Sequence, residues 1–170
     1  MASAKHGAGG LKLNSSKSNL LRFVASVLVC EAAGIIGSVF TISAIPGWYA
    51  ALQKPWFTPP NWLFAPVWLA LYFLMGAVLY VLWGKRPQSG AALAAFAVQL
   101  VFNVAWSAVF FGAHELFDGF VVIAALWLAI LVTVALSYRV SRSAAALLIP
   151  YIVWVTVASA LNYYVWVLNA

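Results

Sequence analysis

The sequence predicts an all-α integral membrane bundle of five transmembrane helices, and three observations predict it. The first is composition: 66% of the 170 residues are hydrophobic, only 7% are charged, and mean hydropathy is +1.00. Soluble domains carry about 25% charged residues, so this chain has too few to coat a surface facing water. The second is length patterning. Apolar runs at 20–43, 61–83, 91–112, 117–138 and 144–168 each approach the roughly 20 residues that cross a hydrocarbon core about 30 Å thick. The third is charge placement. With five spans, Lys5, Lys12, Lys17, Arg22, Lys85, Arg86, Arg139 and Arg142 fall on one side, leaving only Lys54 on the other. That bias predicts the N-terminus inside and the C-terminus outside.

Taken in order, residues 1–19 are polar, basic and free of acids, and are expected to be a disordered tail; a transit peptide shares that composition. Residues 20–170 form the transmembrane domain. The run at 20–43 is too long for the apolar core of a signal peptide. Residues 44–60 are expected to be a loop stiffened by Pro46, Pro55, Pro59 and Pro60 and filled with Trp48, Tyr49, Trp56 and Phe57, a rigid cover for an apolar pocket. Asn61 can cap the second helix, and Gly84, Pro87 and Gly90 punctuate the next turn. His114 to Asp118 and Arg139 to Ser143 supply the last two connections. Backbone groups must be paired in lipid, so helices are the expected state, and the alternating short segments of a β-barrel are missing.

Several functions are excluded early. The net charge of +6 is dispersed, with no basic stretch interleaved with aromatics, so no nucleic-acid partner is expected. The single Cys30 rules out an intramolecular disulfide and a cysteine-based zinc site. No Walker, HExxH or GxSxG motif occurs, and no metal site is expected.

Polar residues at membrane depth are more informative. Glu31 lies near the middle of the first span, where an ionisable group suggests function; alternatively it is protonated or hydrogen-bonded to a neighbouring helix. Gln99, Asn103, Trp106 and Phe110 recur at four, three and four residues and share one helical stripe. Tyr151, Trp154, Ala158 and Asn162 form a second stripe, and Trp62 and Trp68 lie in the second span near the loop. Together they outline an aromatic cavity with a few amides, suited to a large flat ligand. The competing reading makes the aromatics an interfacial belt and the amides helix glue. Gly34, Gly37, Ala91 and Ala95 are small residues at spacings that allow close helix approach, within the chain or in a homodimer.

The pattern Trp48-Tyr49-x-x-Leu52-x-Lys54-Pro55-Trp56-x-x-Pro59-Pro60, followed by Pro66-x-Trp68 and Leu71-Tyr72, resembles the tryptophan-rich sensory protein/translocator protein family, also called the peripheral-type benzodiazepine receptor family. Gln99-Leu100-x-x-Asn103-x-x-Trp106, Pro150-Tyr151-x-x-Trp154 and Leu161-Asn162-Tyr163 extend the resemblance to the C-terminal span. The resemblance implies a dimeric five-helix bundle that binds porphyrins such as protoporphyrin IX, and isoquinoline or benzodiazepine ligands, beneath the first loop. Together with the loop and stripes above, it leads to expected ligand-binding roles for Trp48, Tyr49, Trp68, Asn103, Trp106, Trp154 and Ala158. Trp48 and Trp154 match tryptophans tied to photo-oxidative porphyrin breakdown, which would make them catalytic if the chain is an enzyme. The family's sterol motif ends in a cation after its tyrosine; none follows Tyr163 here, so sterol is not an expected ligand. The expected function is a membrane receptor or sensor for tetrapyrroles that regulates their metabolism or transport and needs no further cofactor. The alternatives are a transporter of porphyrin or other apolar cargo and a light-dependent porphyrin-degrading enzyme. Lys54 is a candidate counter-charge for a porphyrin carboxylate.

Overall fold

The computed structural model describes the backbone of residues 8–170 and side chains from residue 16 onward. Six helices appear in order: α1 (Ala8–Ala44), α2 (Asn61–Trp83), α3 (Gly90–Ser107), α4 (Leu116–Val140), α5 (Arg142–Leu147) and α6 (Ile149–Asn169). They supply five segments long and apolar enough to cross a membrane, α5 and α6 acting as one. This is an integral, multi-pass architecture. Pro150, at the start of α6, explains the break between α5 and α6: it brings no N–H to the helical ladder, and its ring crowds the preceding turn. The N–H of Leu148 instead reaches Ala145 in a tighter turn.

Two boundaries differ from the expected ones. Of the expected disordered tail, residues 1–7 lie outside the described residues, whereas α1 already runs from Ala8. Extending an existing helix gains one hydrogen bond per residue fixed, and no proline interrupts residues 8–19. The second difference concerns the expected loop at 44–60. Its first part, Ile45–Tyr49, is a π-helical turn that prolongs α1, with helical geometry through residue 51. Pro46 lacks the N–H that an α-helical ladder requires, and a wider turn keeps the helix going. Only the stretch from Leu52 to Pro60 is irregular. A second π-helical turn, Ala108–Gly112, prolongs α3 and closes with an Ala113 N–H to Ala108 carbonyl bond of 2.8 Å.

α1 packs on α2 and α3, α3 on α4, and α4 on α6. At one end, Lys85 donates to the Val140 carbonyl at 3.1 Å, joining the two basic connections. At the other, the Asn169 side chain accepts from the Gln53 N–H and donates to the Gln53 carbonyl, both at 2.9 Å, fastening the first connection to the C-terminus. Near the basic end α1 and α2 approach closely at Gly76, where a Cβ would lie 2.6 Å from the Val27 Cα. Toward the other end a cavity opens between the two helices.

Candidate functional site

The cavity has a volume of about 310 Å³ and lies among α1, α2 and α3. That is at the low end of the roughly 300–1,000 Å³ typical of ligand pockets. Its boundary runs along α1 from Glu31 to Tyr49 and along α2 from Asn61 to Tyr72, with Asn103, Trp106, Ser107 and Phe111 behind. Ile35, Ile42 and Leu69 also border it and are exposed on the outside of the bundle, so its flank opens toward the lipid side.

Its aromatic wall follows from helical spacing. Trp68 and Tyr72 are one turn apart on α2, with centroids 5.7 Å apart and planes 31° from parallel. Trp106 of α3 lies 5.9 Å from Trp68 at 32°. Three large rings therefore present a broad, gently fanned surface. The Trp106 indole N–H donates to Asn162 at 3.1 Å, and Asn162 in turn donates to the Ala158 carbonyl, which fixes the ring from α6.

Behind this wall runs a buried polar chain. The Tyr72 hydroxyl donates to the Asn103 oxygen. The Asn103 amide donates to the Tyr151 hydroxyl at 2.9 Å, and Tyr151 donates to the Gln99 oxygen at 2.9 Å. Four side chains from α2, α3 and α6 thus satisfy one another out of contact with water. Each such bond contributes modestly in a membrane, on average about 0.6 kcal/mol, but leaving its groups unpaired costs more. The amides expected to point inward do so: Gln99, Asn103 and Asn162 are all buried.

The sequence-predicted residues divide by position. Tyr49, Trp68, Asn103 and Trp106 border the cavity. Ala158 borders an adjoining void of about 20 Å³ that shares Tyr49, Phe64, Trp106 and Phe111 with it. Trp48 lies elsewhere: the π-helical turn directs it toward the end of α3, where it stacks on His114 at 4.3 Å and 12°. His114 takes a left-handed backbone (φ 61°) in that connection. Trp48 therefore lines an outer groove with Phe40, Ser43 and His114 instead of covering the cavity. Trp154 sits 5.7 Å from Phe64, outside the cavity lining, with a buried indole N–H that has no partner among the described residues. Trp62 is 72% exposed and points away from the cavity.

Lys54 donates to the carbonyls of Ala50 (3.2 Å) and Leu52 (2.9 Å) and lies 4.9 Å over the Tyr49 ring. It caps the end of the first span, where helical carbonyls lack intrahelical partners. The small residues of α1 also find use inside the chain. A Cβ at Gly34 would meet the Tyr72 ring at 2.5 Å, and one at Gly37 would meet the Ser107 hydroxyl at 3.1 Å. Tyr72 belongs to the family pattern but was not among the expected site residues. Its placement four residues after Trp68 was the available signal.

Five apolar spans around an aromatic, amide-backed cavity define a multi-pass membrane protein with room for a small apolar ligand. The TspO/MBR family model matches residues 26–167. Among similar proteins, the tryptophan-rich protein TspO of Archaeoglobus fulgidus is 45% identical over 153 residues, covering 89% of this chain and 99% of that protein. The tryptophan-rich sensory protein of Cereibacter sphaeroides is 35% identical over 142 residues (83% and 87%), and the translocator protein of Sus scrofa 37% over 147 (84% and 87%). The chain belongs to the TspO/MBR family, as a membrane receptor or sensor of the tryptophan-rich sensory protein/translocator protein type.

Proposed function

We propose that this receptor takes a protoporphyrin IX-like tetrapyrrole into the cavity between α1 and α2 and thereby regulates tetrapyrrole metabolism or transport. The observation that carries the reading is the fanned wall of Trp68, Tyr72 and Trp106, whose planes lie within about a third of a right angle of their neighbours. A flat macrocycle gains both apolar burial and offset stacking on such a wall. Tyr49 closes the upper end, and the Asn103 chain keeps Tyr72 in place from behind. The exposed flank at Ile35, Ile42 and Leu69 leaves room for a macrocycle edge to extend between α1 and α2.

Isoquinoline or benzodiazepine-type ligands belong to the same proposal and should compete with porphyrin. So do a homodimeric assembly and an orientation with the basic end inside. Breakdown of a porphyrin through Trp48 and Trp154 would act from outside the cavity lining, so it is a secondary reading. Titration of detergent-solubilised protein with protoporphyrin IX, followed by tryptophan fluorescence, tests the main one. Saturable quenching that Trp68→Ala weakens supports it. Linear, unsaturable quenching, identical in both proteins, would show porphyrin dissolving in the micelle and remove it.

A further inference from the structure

Glu31 is the one carboxylate bordering the cavity, and it sits at the cavity's deep end. It follows Ser16 by fifteen residues and precedes Tyr49 by eighteen, near the middle of the first span. At about 1.5 Å per residue it lies some 27 Å from Tyr49 along the helix axis. An acid at that depth is costly unless something meets its charge or its proton. Three other polar groups around the cavity are engaged elsewhere. The Tyr72 hydroxyl donates a hydrogen bond to Asn103, while Ser38 and Thr41 donate to the Ile35 and Gly37 carbonyls of their own helix. No described residue donates a hydrogen bond to Glu31, and the described Lys and Arg residues lie at the two ends of the bundle. Arg22, on the same helix, is about 13 Å away toward the basic end.

We propose that Glu31 is the recognition group at the deep end of the cavity, and that the site prefers a flat aromatic ligand carrying a basic nitrogen. The protonated nitrogen donates to the carboxylate while the rings lie on Trp68 and Trp106. A charge-assisted hydrogen bond is stronger than a neutral one, and low surrounding polarity strengthens it further. The converse holds for acids: a carboxylated ligand turns its acidic edge away from Glu31, toward Asn61 and the irregular connection. This inference rests on the cavity being the ligand site, and it adds both the charge class of the ligand and its orientation in the cavity.

Two probes of one shape test it: 9-aminoacridine, protonated at neutral pH, and acridine, which is neutral there. Both are titrated into protein in neutral detergent, with protein-free micelles as the partition control. The wild-type protein should bind 9-aminoacridine about tenfold or more tightly than acridine, the size of effect a charged hydrogen bond gives. In Glu31→Gln that preference should vanish while acridine affinity stays within about twofold, as expected when only the charge is removed. Equal wild-type affinities overturn the proposal on the wild-type protein alone, and so does a preference that survives in Glu31→Gln. If protoporphyrin IX still binds saturably in either case, the cavity stands without the charge preference; if it does not, both fall.

Discussion

The seam between α1 and α2 has two halves that the same pair of helices builds in opposite ways. Toward the basic end the helices touch backbone to side chain: Val27 rests on Gly76, and Phe23 packs edge-on against Phe73 and Tyr80 at 6.1 and 5.6 Å. From Glu31 to Tyr49 the facing residues of α2 are Tyr72, Trp68, Phe64 and Asn61, and here the cavity begins. The change occurs at Gly34, where the Tyr72 ring occupies the space beside the helix. Large rings therefore hold the helices apart, and a single glycine lets them meet. A ligand site has been built in the seam by residue size, with the closed half fixing the geometry of the open one.

The comparison breaks most sharply at its tightest point. Gly76→Ala puts a methyl group against the Val27 backbone at 2.6 Å, which cannot relax as a flexible side chain would. Overpacking of this kind costs about 1–3 kcal/mol, so the melting temperature should fall by roughly 3–10 °C. Gly47, in the π-helical turn above the open half, has nothing within 4 Å of the equivalent Cβ. Gly47→Ala should leave melting unchanged or raise it by a degree or two, since it only removes freedom from the unfolded chain. Equal losses in the two variants would show that close approach at Gly76 does not hold the seam.

In the open half, Trp68→Ala should weaken protoporphyrin IX binding by about tenfold, the upper end of what a stacked ring is worth. Trp48→Phe should change it by less than about twofold, because that ring faces His114 in the outer groove. If the two variants weaken binding equally, the ligand contacts both flanks of the π-helical turn and the cavity boundary is wrong. A smaller loss is expected from Ala158→Phe. Its added ring exceeds the void of about 20 Å³ and must press on Trp106 and Phe64, so affinity should drop several-fold with some cost in melting temperature.

These contrasts also show what was legible in the sequence. Five spans were, because length and apolarity in lipid leave helices as the expected answer. The inward stripe of Gln99, Asn103 and Trp106 was legible too, since amides that face lipid are expensive and helical spacing says which residues travel together. The position of Trp48 was not. A run of Trp, Tyr and Pro reads as a loop, yet one π-helical turn at Ile45–Tyr49 carries the helix through it and sends adjacent residues to opposite flanks, Tyr49 to the cavity and Trp48 to the groove. Such a turn shifts the register of everything after it, and no composition rule marks it beyond Pro46. Gly34 and Gly37 were equally ambiguous, because spacing shows that something comes close without saying whether it is the chain's own Tyr72 and Ser107 or a second molecule.

Lys54 gives the smallest effect and the finest test of where the open half ends. As a counter-charge for a bound carboxylate it would hold part of the affinity. As a cap on the Ala50 and Leu52 carbonyls, beneath which Tyr49 lies, it serves the end of the helix instead. The geometry supports the cap, since both bonds are made to the backbone and Lys54 does not border the cavity. Lys54→Ala should therefore cost only about 0.5–1 kcal/mol of stability, as loss of a partly exposed cap does. Protoporphyrin IX affinity should stay within about twofold, as expected of a group that makes no charge-assisted bond to the ligand. Lys54→Arg, which keeps the charge, should melt like the wild type. A tenfold loss of porphyrin affinity in Lys54→Ala, restored by Lys54→Arg, would extend the site upward to the irregular connection and make that segment a ligand-binding element.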